Sequence, residues 1–196
     1  MVHEKTKITI HKFMYRNFQT QFLIGTVLGG SSLVRPPKGV NYYLSMRSQN
    51  EKWLNYKMEE MPDFFSESKL RQYGKTFRCN SGCAEKITEI RNELYLNGKR
   101  NIRMEILDTL TDTGIAVWYL DSGGKTGRSK KNSYINTTKF GEDGSKIVMQ
   151  YFNEIDMPCN INHDGTRLKV LFSVDGTKVL MKTIAHRFPT FMFDQI

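Results

Sequence analysis

Apolar positions along the chain fall into a succession that occurs twice. The first copy opens with residues 22–28, Phe-Leu-Ile-Gly-Thr-Val-Leu, which run into Gly29, Gly30, Ser31 and Ser32. The second opens with residues 115–120, Ile-Ala-Val-Trp-Tyr-Leu, which run into Asp121, Ser122, Gly123 and Gly124. Both segments are too apolar for a surface helix and both end on small residues that stop a helix. Two buried helices are therefore expected.

The segments after the two helices also match. A basic turn (Arg35-Pro36-Pro37-Lys38-Gly39, then residues 125–131 in the second copy) leads into an alternating strand, residues 42–47 and 134–139. Period-two alternation beside turn residues predicts a hairpin in each case. Amphipathic helices come next, over residues 50–61 and 143–156. Trp53, Leu54, Tyr56, Lys57 and Met61 recur near helical spacing, as do Ile147, Val148, Tyr151, Phe152 and Ile155. A second hairpin comes after them, with strands near 68–73 and 75–80, then 159–163 and 167–173, and a helix closes each copy over 84–96 and 176–188. The pattern divides the chain into an N-terminal extension (1–16), a first unit (17–100) and a second unit (101–196). Residues 97–101, short and basic, join the units. The expected fold class is α+β, with two pseudo-symmetric helix–hairpin–helix–hairpin–helix units.

Composition narrows the partners. The chain carries 29 Lys and Arg against 20 Asp and Glu, a formal charge of +9. A folded domain with that excess attracts polyanions, of which nucleic acid is the commonest. No apolar run reaches the ~18 residues of a membrane span. The first sixteen residues lack the apolar core of a secretory signal, and Cys79, Cys83 and Cys159 have no disulfide-scaffold spacing. An intracellular, reducing setting (cytoplasm or organelle matrix) is expected. A zinc site is disfavoured, because the spacing of Cys79 and Cys83 is loose and the four histidines are scattered. Gly124-Lys125-Thr126 lacks the upstream glycine of a phosphate loop.

With both helices and their matching successions in view, the chain resembles the LAGLIDADG homing endonucleases in their single-chain, two-motif form. The resemblance rests on residues 23–33 and 116–124 and covers the chain from about Asn17 onward. It implies motif helices packed at a pseudo-dyad and antiparallel sheets that form a saddle on double-stranded DNA. It also implies an acidic residue at the end of each motif helix, and together these hold divalent metal such as Mg2+ for phosphodiester hydrolysis. In this sequence those two positions are Gly30 and Ser122, neither of which is an anionic ligand. Asp121 is the surviving motif carboxylate and the one candidate metal ligand.

Candidate DNA contacts are the basic residues of the hairpins: Arg35, Lys38, Lys125, Arg128, Lys130 and Lys131 in the turns. Arg47 and Lys139 are expected at strand ends, a neighbourhood that the resemblance places near the scissile phosphates, and Arg71, Arg78, Arg167 and Lys169 on the second hairpins. Asn41, Ser45, Asn136 and Thr138 are candidates for base reading, and Met46 and Tyr42 for packing. The expected function is site-specific recognition of double-stranded DNA, with cleavage weak or lost. The alternatives are an active endonuclease using Asp121 and an RNA-binding splicing maturase. One chain containing both halves of the interface is expected to be a monomer.

Overall fold

The computed structural model describes residues 17–195, with the side chains of the last two left aside. Helix α1 (Phe18–Gly29) leads into strands β1 (Ser32–Val34) and β2 (Tyr43–Ser48), then helices α2 (Glu51–Glu59) and α3 (Pro62–Phe65). Strands β3 (Arg71–Tyr73) and β4 (Thr76–Asn80) come next, and helix α4 (Glu85–Leu94) completes the first half. A hairpin of β5 (Tyr95–Leu96) and β6 (Lys99–Arg100) and the short helix α5 (Met104–Leu107) lead to α6 (Asp112–Ser122). The second half continues with β7 (Gly123–Thr126), β8 (Asn132–Asn136), α7 (Gly141–Glu154), β9 (Cys159–Asp164), β10 (Arg167–Phe172) and α8 (Val174–Ile184).

The two halves have the same topology. One sheet has the order β1-β2-β4-β3 and the other β7-β8-β10-β9, with every pairing antiparallel. Burial alternates along the strands. Leu44, Met46 and Cys79 in the first sheet, and Ser133, Ile135, Val170 and Phe172 in the second, point to the helices. Ser45, Arg47, Arg78 and Asn80, and likewise Asn136, Lys169 and Asn162, alternate with them and lie on the open face.

Helices α1 and α6 form the centre. Asn17 caps α1 by accepting hydrogen bonds from the backbone of Gln19 and Thr20, and residues 20–28 of the helix are buried all round. Gln21 ties the two helices together: its amide donates to the Thr109 carbonyl at 2.9 Å and its oxygen accepts from Thr111 N at 2.7 Å. Small residues set the approach. A Cβ on Gly25 would lie 2.5 Å from the Gly114 carbonyl oxygen and 2.9 Å from Val117 Cβ, and one on Gly29 would collide with Asp121 Cβ. Gly25 facing Val117 and Gly29 facing Asp121 share the offset that pairs Gly30 with Ser122, so the dyad relates those two positions. Gly25→Ala forces the helices apart and is expected to cost about 1–3 kcal/mol, read as a lowered urea midpoint. An unchanged midpoint would show that the seam yields freely.

Three local features depart from the pattern of the sequence. The strand expected to reach Lys139 stops at Asn136, and residues Thr138–Phe140 form a 3-10 turn. Thr137 N donates to Leu168 O and Phe140 N to Thr137 O, which closes that turn and directs Lys139 inward. Lys139 is therefore not a strand-end residue. The residues expected to be a plain linker instead make the β5–β6 hairpin, with Asn97 (φ 50) and Gly98 (φ 79) both left-handed. An Asn-Gly pair takes that conformation readily in a two-residue turn. Helix α4 also ends two residues earlier than the pattern suggests, because Tyr95 and Leu96 pair with this hairpin.

Candidate nucleic-acid interface and the feet of the motif helices

Helix α1 ends where its backbone turns at Gly30, whose φ of 135 favours glycine and strains any other residue. Gly30 N–H closes the helix onto Thr26 O and Val27 O. The Arg100 guanidinium, delivered by β6, donates to Val27 O and to Ser31 O at 2.5 and 2.6 Å and so caps the negative end of the helix. Ser122, the matching position on α6, directs its hydroxyl to Trp118 O at 3.1 Å.

The Asp121 carboxylate is already engaged. Lys57 Nζ donates to both of its carboxylate oxygens at 2.9 Å, and Trp53 Nε1 donates to Oδ1 at 2.6 Å. Both donors come from α2, one helical turn apart, so a residue of the second half is held by a helix of the first. The Lys57 side chain is 2% exposed and that of Asp121 12%. A lysine buried to this degree is stable only when paired, and Asp121 supplies the pair. Lys57 lies in the apolar stripe of its helix, and a cation in such a stripe signals a buried partner without saying which one.

Lys139 Nζ lies 3.6 Å from where a Cβ of Gly30 would be. Burial, and next the Arg100 guanidinium, push its pKa down to about 7, against the opposing pull of Asp121. The unfolded chain keeps that lysine at its ordinary 10.5. Below pH 7 both states hold the proton and the burial penalty is complete. Between about 7 and 10.5 the unfolded state binds more protons than the native one, so stability rises with pH. Wild type should therefore gain urea resistance relative to Lys139→Met from pH 6.5 to 9, and a constant difference between the two would place Lys139 in solvent.

A cleft of about 520 Å³ opens at these helix feet, with Gly30, Ser45, Arg47, Arg78, Asp121 and Met192 among its lining. Asn50, which caps α2 through Trp53 N, also reaches Met192 Sδ and closes one side of the cleft. A second hollow, of about 590 Å³, adjoins it over the open face between Ser45, Arg71 and Arg78. The structure thus brings Arg47, Arg78, Lys139, Gly30 and Asp121 to one region.

The remaining candidates lie apart from it. Arg128, Lys130 and Lys131 are exposed on the β7–β8 turn, and Lys38 is exposed on the β1–β2 loop. Arg35 donates to Gly39 O at 2.9 Å and braces that loop. Lys125 stands opposite buried Ser133, in the row that Leu33 occupies in the first sheet, so it belongs to the helix side of the sheet edge. Arg167 pairs in register with Asp164, and Lys169 donates to Asp164 Oδ2 at 2.7 Å. Met46 is fully buried and Tyr42 half-buried, in packing roles. Asn41 accepts from Thr88, and Thr138 is engaged with the Leu168 backbone. The three cysteines are free, and burial pushes the Cys79 and Cys159 thiols up to about 11 and 12.

Residues 20–188 match the LAGLIDADG DNA endonuclease family, which is most of the chain. The chain belongs to that family. Among solved structures, the homing endonuclease I-WcaI bound to its DNA recognition sequence superposes with a TM-score of 0.81 at 16% identity, over 91% of this chain and 85% of that one. I-DmoI in complex with DNA and Mn gives a TM-score of 0.54 at 14% identity, over 84% and 94%. The N-terminal LAGLIDADG domain of DUF199/WhiA gives 0.55 at 12% identity, over 91% and 86%. These likenesses show the fold. Proteins named RecA from Mycolicibacterium flavescens and Mycolicibacterium chitae are 28% identical over 116 residues, 57% of this chain and 27% of theirs. The chain thus spans about a quarter of the length of those curated relatives. Among the described residues of this LAGLIDADG protein, no helix is long and apolar enough to cross a membrane.

A divalent metal between the motif helices finds a poor donor set. Gly30 has no side chain, the Ser122 hydroxyl is uncharged and engaged, and both Asp121 oxygens already accept from an ammonium group. Among the described residues no three His, Cys, Asp or Glu side chains gather where a metal could sit. The residues present do not fit the metal that the family implies.

Proposed function

We propose that this protein recognises a specific double-stranded DNA site on the homing-endonuclease scaffold, with cleavage weak or lost. The observation that carries this reading is the state of the motif-helix feet, where a paired Asp121, a glycine and a serine replace two free carboxylates. A hard cation needs anionic oxygens with lone pairs to give, and Lys57 occupies the side from which Asp121 would offer them. Binding has stronger support, since Arg47, Arg71 and Arg78 stand exposed on one open face beside the cleft. Homing endonucleases solved in complex with DNA share this fold, and a two-stranded ribbon fits the major groove.

The test begins by selecting duplexes from a random library with the full chain, then measuring mobility shift and strand scission with Mg2+ or Mn2+. The expected result is a retained, salt-sensitive complex and intact strands. Scission that disappears in Asp121→Asn would instead establish an active endonuclease with an altered metal site. Structured RNA that outcompetes the selected duplex would favour a splicing maturase. The proposed binding unit is one chain, because both sheets and both motif helices lie within it. Light scattering that gives a stable dimer at micromolar concentration would refute that stoichiometry.

A further inference from the structure

Equivalent rows of the two sheets carry different chemistry. In the first sheet Arg47, Arg78 and Arg71 stand directly opposite one another across β2, β4 and β3. All three are exposed and none makes an ion pair among the described residues. The Arg78 guanidinium lies over the Tyr73 ring, 5.2 Å from its centre. Like charges directly opposite across strands repel, so this row is unfavourable until an electron-rich partner meets it.

In the second sheet the equivalent row is Asn136, Lys169 and Asn162. Its central cation is already neutralised. Lys169 Nζ donates to Asp164, lies 4.8 Å from the Tyr134 ring centre and holds the Asp164 carboxyl below its usual range. The groups left to recognise a ligand are the two flanking carboxamides. Asn136 Oδ1 accepts from Thr138 N, which leaves its amide donors and a second lone pair available. Asn160 extends the amide character of the same face, exposed and two residues before Asn162.

We infer that the two sheets read different base classes, the arginine row guanine and the amide row adenine, so that the two halves of the target are chemically unlike. The inference rests on the DNA-binding reading above. A guanidinium fork matches the two major-groove acceptors of guanine, O6 and N7, and no other base presents that pair. A carboxamide matches the donor and acceptor of adenine, N6 and N7. The pseudo-dyad places these chemistries on opposite halves, so the protein sits on its site in one orientation.

The experiment compares sites selected from a random duplex library by the full wild-type chain, by Arg78→Ala and by Asn162→Ala. Both residues are exposed, so the variants keep the core, and circular dichroism checks that they do. Wild type is expected to recover an asymmetric site with guanines in one half and adenines in the other. Arg78→Ala should relax only the guanine positions and Asn162→Ala only the adenine positions, each lowering affinity for the wild-type site about 5- to 150-fold. Recovery of the same base class in both halves, or relaxation of the same positions by both variants, overturns the inference while DNA binding stands. If no duplex is enriched by wild type, the DNA-binding reading fails and this inference fails with it.

Discussion

Lys57→Met is expected to lower the unfolding free energy by about 3–5 kcal/mol, the cost of leaving a buried charge without its partner. The change removes the ammonium from both Asp121 oxygens, and among the described residues Asp121 is left with Trp53 Nε1 as its one remaining donor. Its Cβ stays packed against Gly29 in the helix seam, so the carboxylate keeps little of its hydration, with the side chain 12% exposed. Adding Asp121→Asn to the same chain removes the stranded charge and should recover most of the loss, since a neutral pair of similar shape has little left to desolvate. Urea unfolding of wild type, the two single variants and the double variant measures the coupling directly. Strictly additive losses would mean that the contact contributes nothing as a pair, and Asp121 would then be available to a metal. The same geometry bears on placing acids at the ends of the motif helices. Gly30→Asp would place a side chain at a φ of 135 and a carboxylate beside Lys139 Nζ, so it is expected to strain the turn and pair with that lysine rather than hold Mg2+.

The second large effect is electrostatic. Arg128, Lys130 and Lys131 are exposed on the β7–β8 turn and make no ion pairs among the described residues. If each neutralises one phosphate, replacing all three by Ala should flatten the slope of log affinity against log salt by about 2.7, at ~0.9 per contact. Relative to 1 M salt, that slope corresponds to a loss on the order of a hundredfold at 0.15 M. Phosphates carry no sequence information, so selected and unrelated duplexes should weaken alike. Equal affinity of the triple variant and wild type at moderate salt would remove this turn from the interface. A loss confined to the selected duplex would place these side chains on bases.

These two predictions draw on information of different kinds. The basic turn was visible in the sequence, because a charge run between strands is a local feature. The two buried helices, the repeated hairpin succession and the two small-residue ends were visible for the same reason. Hydrophobic period and turn chemistry act over a few residues, and each unit repeats them. The alignment that puts Gly30 and Ser122 where the resemblance implies acidic residues also came from the order of residues alone, and the pairing of Gly29 with Asp121 across the seam has the same offset.

Contacts between residues far apart in the chain were left open by the sequence. Lys57 reads as one more member of an amphipathic stripe until α6 brings Asp121 against it. Asp121 reads as a spare metal ligand until that ammonium takes both of its oxygens. Lys139 reads as an exposed strand end, yet the 3-10 turn after Asn136 brings it beside Gly30, where burial and Arg100 lower its pKa. Arg100 reads as linker charge, yet the Asn97-Gly98 turn carries it to the end of α1. Alternation likewise showed which strand residues share a face, but only packing against the helices decided which face is open, and only strand register aligned Arg47 with Arg78 and Arg71. Local patterns determine which segments form helices and strands, through forces that reach a turn or a strand neighbour. The charge at the centre of this molecule was decided by tertiary structure, because pairing a buried ion depends on which distant group the fold delivers to it.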